Sequence, residues 1–126
     1  MIFLNKKSLG QNFLNDQKII DLIIKIGNID HECKIIEVGP GDGALTKKII
    51  EQGPKNFIAV EKDQRLVKIL REKFERDLII INEDMMKISY ENYLKKNTII
   101  FGNLPYNIST QILAKWIKIK NLDKFC

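Results

Sequence analysis

The sequence predicts an α/β protein built on an open parallel sheet, and three observations predict it. Short, apolar, β-branched runs alternate with amphipathic helical stretches. The runs lack the in–out alternation of a half-solvated strand, so both faces of the sheet should be covered. Chemistry-bearing residues fall just past the ends of the runs, where a parallel sheet opens its binding crevice.

The elements follow in order. "QKIIDLIIKIG" (17–27) reads as a helix, with Ile19, Ile20, Ile23, Ile24 and Ile26 largely on one side, Asn15 or Asp16 as cap and Gly27 as stop. "KIIEV" (34–38) is a strand, and "GPGDG" (39–43) turns from it into the helix "ALTKKIIEQG", which stops at Gly53-Pro54. "FIAVE" (57–61) is a second strand. "DQRLVKILREKFE" (63–75) is helical, with Leu66, Ile69, Leu70 and Phe74 on one face. "LIIIN" (78–82) is a third strand, "SYENYL" (89–94) a short helical turn and "NTIIFG" (97–102) a fourth strand. "TQILAKWIKIK" (110–120) is a helix expected to bury Ile112, Leu113, Trp116 and Ile117. Right-handed connections place Gly39 to Gly43, Glu61, Asp84 and Asn103 at the carboxyl ends of four strands, on one crevice.

The bulk numbers allow one domain. The chain has 126 residues, 44% hydrophobic and 29% charged, which is globular composition rather than disorder. Its net charge of +5 fits a nucleic-acid partner and equally a lysine-rich surface. Cys33 and Cys126 lack metal-ligand spacing, so no metal is expected and a reducing compartment is. No apolar run approaches a membrane span, and the N-terminus is too short in its apolar part for a secretory signal. A cytoplasmic location without membrane contact is therefore expected.

The glycine loop carries the first chemical signal. A glycine-rich turn that opens a helix lets the backbone approach a ligand and offers free N–H groups. Glu61 lies about twenty residues beyond it, the distance at which an acid grips ribose hydroxyls. That much is equally a dinucleotide pattern, or a plain tight turn with surface acids. The loop, however, is G-P-G-D-G rather than G-x-G-x-x-G, and Glu37, Asp42, Glu61 and Asp84 surround it. So negative a field disfavours a pyrophosphate and favours a cationic ligand without phosphate. S-adenosylmethionine, with a sulfonium and an ammonium, meets that condition better than NAD. Asp84 can accept from its adenine amine or simply cap the turn after the third strand.

"FGNLPYNIS" carries the second signal. Beside a methyl donor, the Asn103 side-chain oxygen and the Leu104 carbonyl can each accept an N–H of an adenine amine. Held at both bonds, that nitrogen pyramidalises and its lone pair localises. Pro105 fixes the backbone path, and Tyr106 can stack on the base, worth roughly 1–3 kcal/mol. The competing reading is a mere turn before a Ser/Thr-capped helix.

Taken in order, "LGQNFLND" (9–16), "IIEVGPGDGALT" (35–46), "VEKD" (60–63), "NEDMM" (82–86) and "FGNLPYNIST" (101–110) resemble the motifs of the ribosomal RNA adenine dimethyltransferases. The match is nearest to the small-subunit members, which dimethylate two adjacent adenines near the 3′ end of 16S rRNA. The resemblance spans nearly the whole chain. It implies a Rossmann-like class I S-adenosylmethionine-dependent methyltransferase fold, with 16S rRNA in the 30S subunit or its precursor as partner. It implies that Gln11, Asn12 and Leu14 close over S-adenosylmethionine. Gly39 and Gly41 then sit under its methionine part, Glu61 holds the ribose, and Asp84 with Met85 holds the adenine. Asn103 would contact both donor and target amine, and Leu104, Pro105 and Tyr106 would frame the target base. Residues 1–15 become a basic arm closing over the cofactor, and 16–126 the N-terminal part of the methyltransferase domain. The family uses no metal, and its full-length members are expected to be monomers.

Two departures stand out. Gln111 occupies a position where proline is common. Family members also run to about twice this length, so the fold is expected to be incomplete: strands one to four present, later strands and a helical C-terminal domain absent. In the expected order 3-2-1-4, the 97–102 strand would then be an edge, inviting self-association. Alternative readings are a large-subunit rRNA adenine methyltransferase of the macrolide-resistance type and a catalytically inactive RNA-binding assembly fragment. A DNA adenine or protein glutamine methyltransferase usually carries Pro-Pro-Tyr, and a NAD oxidoreductase leaves Asn103 to Tyr106 unexplained.

Overall fold

The structure, a computed structural model, describes residues 2–5, 17–93 and 97–104. Nine elements follow one another: β1 (Ile2–Asn5), α1 (Gln17–Gly27), β2 (Lys34–Val38), α2 (Ala44–Glu51), β3 (Asn56–Val60), α3 (Gln64–Phe74), β4 (Ile79–Ile81), a single 3-10 turn (Tyr90–Asn92) and β5 (Thr98–Leu104). All strand pairings are parallel, in the order β1-β5-β2-β3-β4. The α/β class and the 3-2-1-4 run predicted for the four apolar strands are thus present.

The strand residues sort into two cores by parity. Ile35, Phe57, Ala59, Leu78, Ile99 and Phe101 face α1 and α2, where Ile20, Ile23, Leu45 and Ile49 meet them. Ile36, Val38, Val60 and Ile100 face the other way, onto Ile88 and Tyr90. Covering both faces explains why the strands read as unbroken apolar runs. β4 is the exception: it has three residues rather than five, and Ile79 is exposed at the sheet edge.

Three expectations need correction. Within the segment expected as an arm, residues 2–5 form a strand: β1 pairs with β5 in the register Ile2↔Phe101 to Asn5↔Leu104, and the rest of that segment lies outside the described residues. That pairing puts β5 inside the sheet between β1 and β2, so it is not the edge expected to drive self-association. Its buried run Thr98 to Gly102 accords with an interior strand. The helix faces are also narrower than read. Ile20, Ile23 and Gly27 form the buried stripe of α1, and Ile26 is 54% exposed because it lies roughly a quarter-turn round the helix from the centre of that i, i+3, i+7 line. In α3 the buried residues are Val67 and Leu70, with Ile69 exposed and Leu66 and Phe74 half-buried. The capping residues Asn15 and Asp16 and the 110–120 helix lie outside the described residues.

Gly43 shows how tightly α2 and α3 are joined. It adopts φ 91°, and a Cβ there would stand 2.7 Å from Phe74 Cε2 and 3.1 Å from Leu70 Cδ2. Both the backbone conformation and the close approach require glycine. We expect Gly43→Ala to cost about 2–4 kcal/mol in urea unfolding, from overpacking plus left-handed strain. Adding Phe74→Leu should recover part of it; a neutral Gly43→Ala would overturn this account of the α2–α3 contact.

Candidate functional site

The register aligns the carboxyl ends of four strands. Val38 is paired with Val60 on one side and Gly102 on the other, and Val60 with Ile81. One step further, Gly39, Glu61, Asn82 and Asn103 form the rim of the sheet. The ladder continues into that rim: the Gly39 N–H donates to the Val60 carbonyl and the Glu61 N–H to the Ile81 carbonyl, both at 3.0 Å. Backbone pairing therefore fixes where the first residue of each loop stands.

After β2, Gly39, Gly41 and Gly43 all have positive φ, with values of 69°, 61° and 91°. The Gly43 N–H closes onto the Pro40 carbonyl, and the Asp42 carboxylate accepts the Ala44 N–H at 3.1 Å, starting α2. A Cβ on Gly41 would meet nothing within 4 Å among the described residues, which leave open space over this glycine. The predicted loop residues Gly39 and Gly41 are thus at the rim.

After β3, Glu61 is buried. Its Oε2 accepts the Asp63 N–H at 3.0 Å, and its Oε1 has no protein partner among the described residues. Asp63 caps α3 through the Arg65 N–H, and the Arg65 side chain holds its carboxyl below the usual value. Asn82, from the β4 end, donates to the carbonyls of Glu61 and Lys62 at 3.0 and 3.1 Å. Nothing in the sequence beyond its place after an apolar run marks Asn82 as the clasp between these two loops.

After β4, Asp84 is half-buried. Its Oδ1 accepts the Met86 N–H at 2.9 Å, so the turn-capping reading is realised. Its Oδ2 has no protein partner among the described residues, and Met85 packs against the core beneath it. Asn103 and Leu104 are the last residues of β5, two positions beyond the predicted strand end, beside Leu4 and Asn5. Gln11, Asn12, Leu14, Pro105 and Tyr106 lie outside the described residues. Four of the predicted loops are therefore brought to one end of the sheet. A cavity of about 480 Å³ lined by Lys34, Asn56 and Leu78 opens at the opposite end, where no candidate residue lies.

Glu37 is the acid beneath this rim. It is 3% exposed, points with Ile35 toward α2, and its Oε1 accepts the Thr46 hydroxyl at 2.6 Å. Burial pushes its carboxyl up from 4.5 to about 7; the Thr46 bond opposes that rise and the charge on Glu61 adds to it. Thr46, fully buried, was not singled out by sequence reasoning, because the strand-to-helix return brings it within reach of a residue nine positions earlier. Among the described residues no group of three or more His, Cys, Asp or Glu is placed to hold a metal, and no helix is long and apolar enough to cross a membrane.

The folded protein holds the Glu37 proton more tightly than the unfolded chain does. The stability this confers is complete below about pH 4.5 and is lost as pH rises toward and through about 7. Glu37→Gln keeps an acceptor for Thr46 and removes the titration. Its stability relative to the parent should therefore grow by about 3 kcal/mol between pH 4.5 and 8, read from urea unfolding. Parallel pH profiles for the two proteins would show that Glu37 is not held this way.

Comparison with known proteins bears on this site. The family model described as ribosomal RNA adenine dimethylase matches residues 2–125. A protein of Pelagibacter ubique named ribosomal RNA small subunit methyltransferase A is 47% identical over 112 residues, covering 89% of this chain and 42% of that protein. One of the same name from Wolbachia sp. subsp. Brugia malayi is 38% identical over 124 residues, covering 95% of this chain and 48% of that one. Among solved structures, a dimethyladenosine transferase from Plasmodium falciparum superposes with a TM-score of 0.73 at 25% identity, over 84% of this chain and 38% of that chain. The 23S rRNA methyltransferase ErmE superposes at 0.71 with 23% identity, over 86% of this chain and 44% of that chain, a likeness of fold. The chain spans less than half the length of these curated relatives.

Proposed function

The chain belongs to the ribosomal RNA adenine dimethylase family, and we propose that it carries the methyl-donor site of an S-adenosylmethionine-dependent enzyme. That enzyme would transfer methyl groups to the exocyclic amines of two adjacent adenines near the 3′ end of 16S rRNA, in the cytoplasm, on the 30S subunit or its precursor. The observation that carries the reading is the rim itself. Glu61 and Asp84 each keep one carboxylate oxygen without a protein partner among the described residues, on neighbouring strand ends beside an open glycine loop. Two such acceptors suit hydroxyl and amine donors and repel phosphate. The names of the curated relatives favour the small-subunit target over the large-subunit one.

S-adenosylmethionine supplies, when bound, an electrophilic methyl group on a cationic sulfur. The residues of this chain supply position and charge. Glu61 is assigned the ribose hydroxyls, Asp84 and Met85 the adenine, and Gly39 and Gly41 the methionine part, with Gln11, Asn12 and Leu14 closing over them. The target amine is a poor nucleophile because its lone pair is delocalised into the ring. Asn103 and the Leu104 carbonyl are assigned its two N–H bonds, which localises that pair toward the donor. Pro105 sets the backbone and Tyr106 stacks on the base. Fixed acceptors aimed at a nitrogen that gains positive charge lower the barrier without reorganising, and holding both reactants supplies much of the remainder.

Calorimetry tests the cofactor half. S-adenosylhomocysteine should bind more tightly than NAD, and Glu61→Ala should weaken it by about 1.5–3 kcal/mol, the worth of a charged hydrogen bond. Tighter binding of NAD would sink the assignment. Transfer of tritiated methyl to 30S particles by the complete enzyme tests the acceptor half. Asn103→Ala should abolish turnover while S-adenosylhomocysteine affinity stays within several-fold. Tyr106→Phe should be mild and Tyr106→Ala severe; equal damage from both would remove stacking as the role of Tyr106.

A further inference from the structure

"SYENY", read from sequence only as a short helical turn, does more than connect β4 to β5. Tyr90 is 1% exposed and packs against Ile36, Val38, Val60 and Ile100, so its ring is rooted in the sheet. Its hydroxyl donates to the Met85 carbonyl. The other end of that same peptide unit, the Met86 N–H, donates to Asp84 Oδ1 at 2.9 Å. One planar peptide is thus pinned at its oxygen by the phenol and at its nitrogen end by the carboxylate. Because the peptide is rigid, turning it about its neighbours would move both bonds together. The chain of donors also polarises in one direction, from Tyr90 through the peptide to Asp84. The Lys87 N–H closes the same turn onto the Asp84 carbonyl at 2.9 Å. Burial and the nearby Asp84 charge raise the Tyr90 phenol well above its ordinary value, so it stays a donor.

We propose that Tyr90 is a positioning residue for the cofactor's adenine: through the Met85–Met86 peptide it fixes the Asp84 carboxylate in the orientation that reads a 6-amino group. The inference rests on the S-adenosylmethionine reading above and adds to it a residue that need not touch the ligand. The Asp84 oxygen without a protein partner among the described residues is the one left to face a donor. A carboxylate free to rotate would accept that donor less well and discriminate less against a 6-oxo base, which offers an acceptor instead.

The test uses two ligands that differ only there, S-adenosylhomocysteine and S-inosylhomocysteine, with calorimetry on the parent chain, Tyr90→Phe and Ile36→Val. Tyr90→Phe keeps the ring in the core and removes only the hydroxyl. Its affinity for S-adenosylhomocysteine should fall about fivefold to tenfold, and the preference for the amino over the oxo base should shrink at least about threefold, as expected for one lost buried hydrogen bond. Ile36→Val, in the same core cluster, should lower the melting temperature and leave that preference unchanged. Hydrogen exchange without ligand provides a second reading: in Tyr90→Phe the Met86 amide should exchange faster relative to the Tyr93 amide. An unchanged base preference in Tyr90→Phe, or equal loss in Ile36→Val, would overturn the positioning role. If the parent chain bound neither nucleoside, the cofactor reading would fall, and an unaltered Met86 amide would dismiss the Tyr90 tether on its own.

Discussion

The candidate residues at the described strand ends depend on the pairing of β2 with both neighbours at once. Its hydrogen bonds to β3 and β5 bring Val38, Val60 and Gly102 level, and the β3–β4 pairing adds Ile81 to the row. A slip of one residue in any pair would turn that strand's side chains to the opposite face. It would also move one loop about 3.3 Å along the sheet axis, out of line with the others. The parity sorting of the two cores is what holds the register: Ile35, Phe57, Ile99 and Phe101 fit only against α1 and α2, and Ile36, Val60 and Ile100 only against the Tyr90 side. Packing on the two faces therefore sets the geometry of the rim, although no core residue belongs to it.

The local parts of this design were legible in the residues. The run of β-branched side chains at 34–38, the isoleucine spacing at 17–27 and the glycines at 39–43 each declare an element through a few neighbours, and the expected strands and helices that fall on described residues stand within a few residues of their predicted places. The four strand-end positions of the site followed from the same reasoning, since a parallel sheet with helical crossovers leaves few other places for them. Asp84 was legible in two ways, as cap and as ligand group, and the structure shows its carboxylate capping with one oxygen, the other having no protein partner among the described residues.

What escaped the sequence was non-local or asymmetric. "IFLN" is four residues long, and its partner lies at the far end of the described chain, so no periodicity reveals it as a strand. The buried sides of α1 and α3 depend on how each helix rolls against the sheet; propensity and spacing narrowed the choice but left Ile26 and Ile69 on the wrong side. The link between Thr46 and Glu37 and the chain from Tyr90 to Asp84 are made across turns whose shape is decided by packing. Each joins a residue type common in any core to one with evident chemistry, and only coordinates tell such a residue from its neighbours.

The parallel union of β1 with β5 carries a consequence for the way the chain is made. Residues 2–5 meet partners at 101–104, so their hydrogen bonds close a loop of about a hundred residues. Synthesis runs from the amino end, at roughly 5–20 residues per second. The β2–β3–β4 portion with its helices can condense as it leaves the ribosome, because each of its contacts lies close in sequence. β1 must wait, and it can pair only after β5 has emerged and docked on β2. β1, made before the other described strands, is thus among the last of them to be placed, and the entropy of that long closure is met only once most of the sheet already stands.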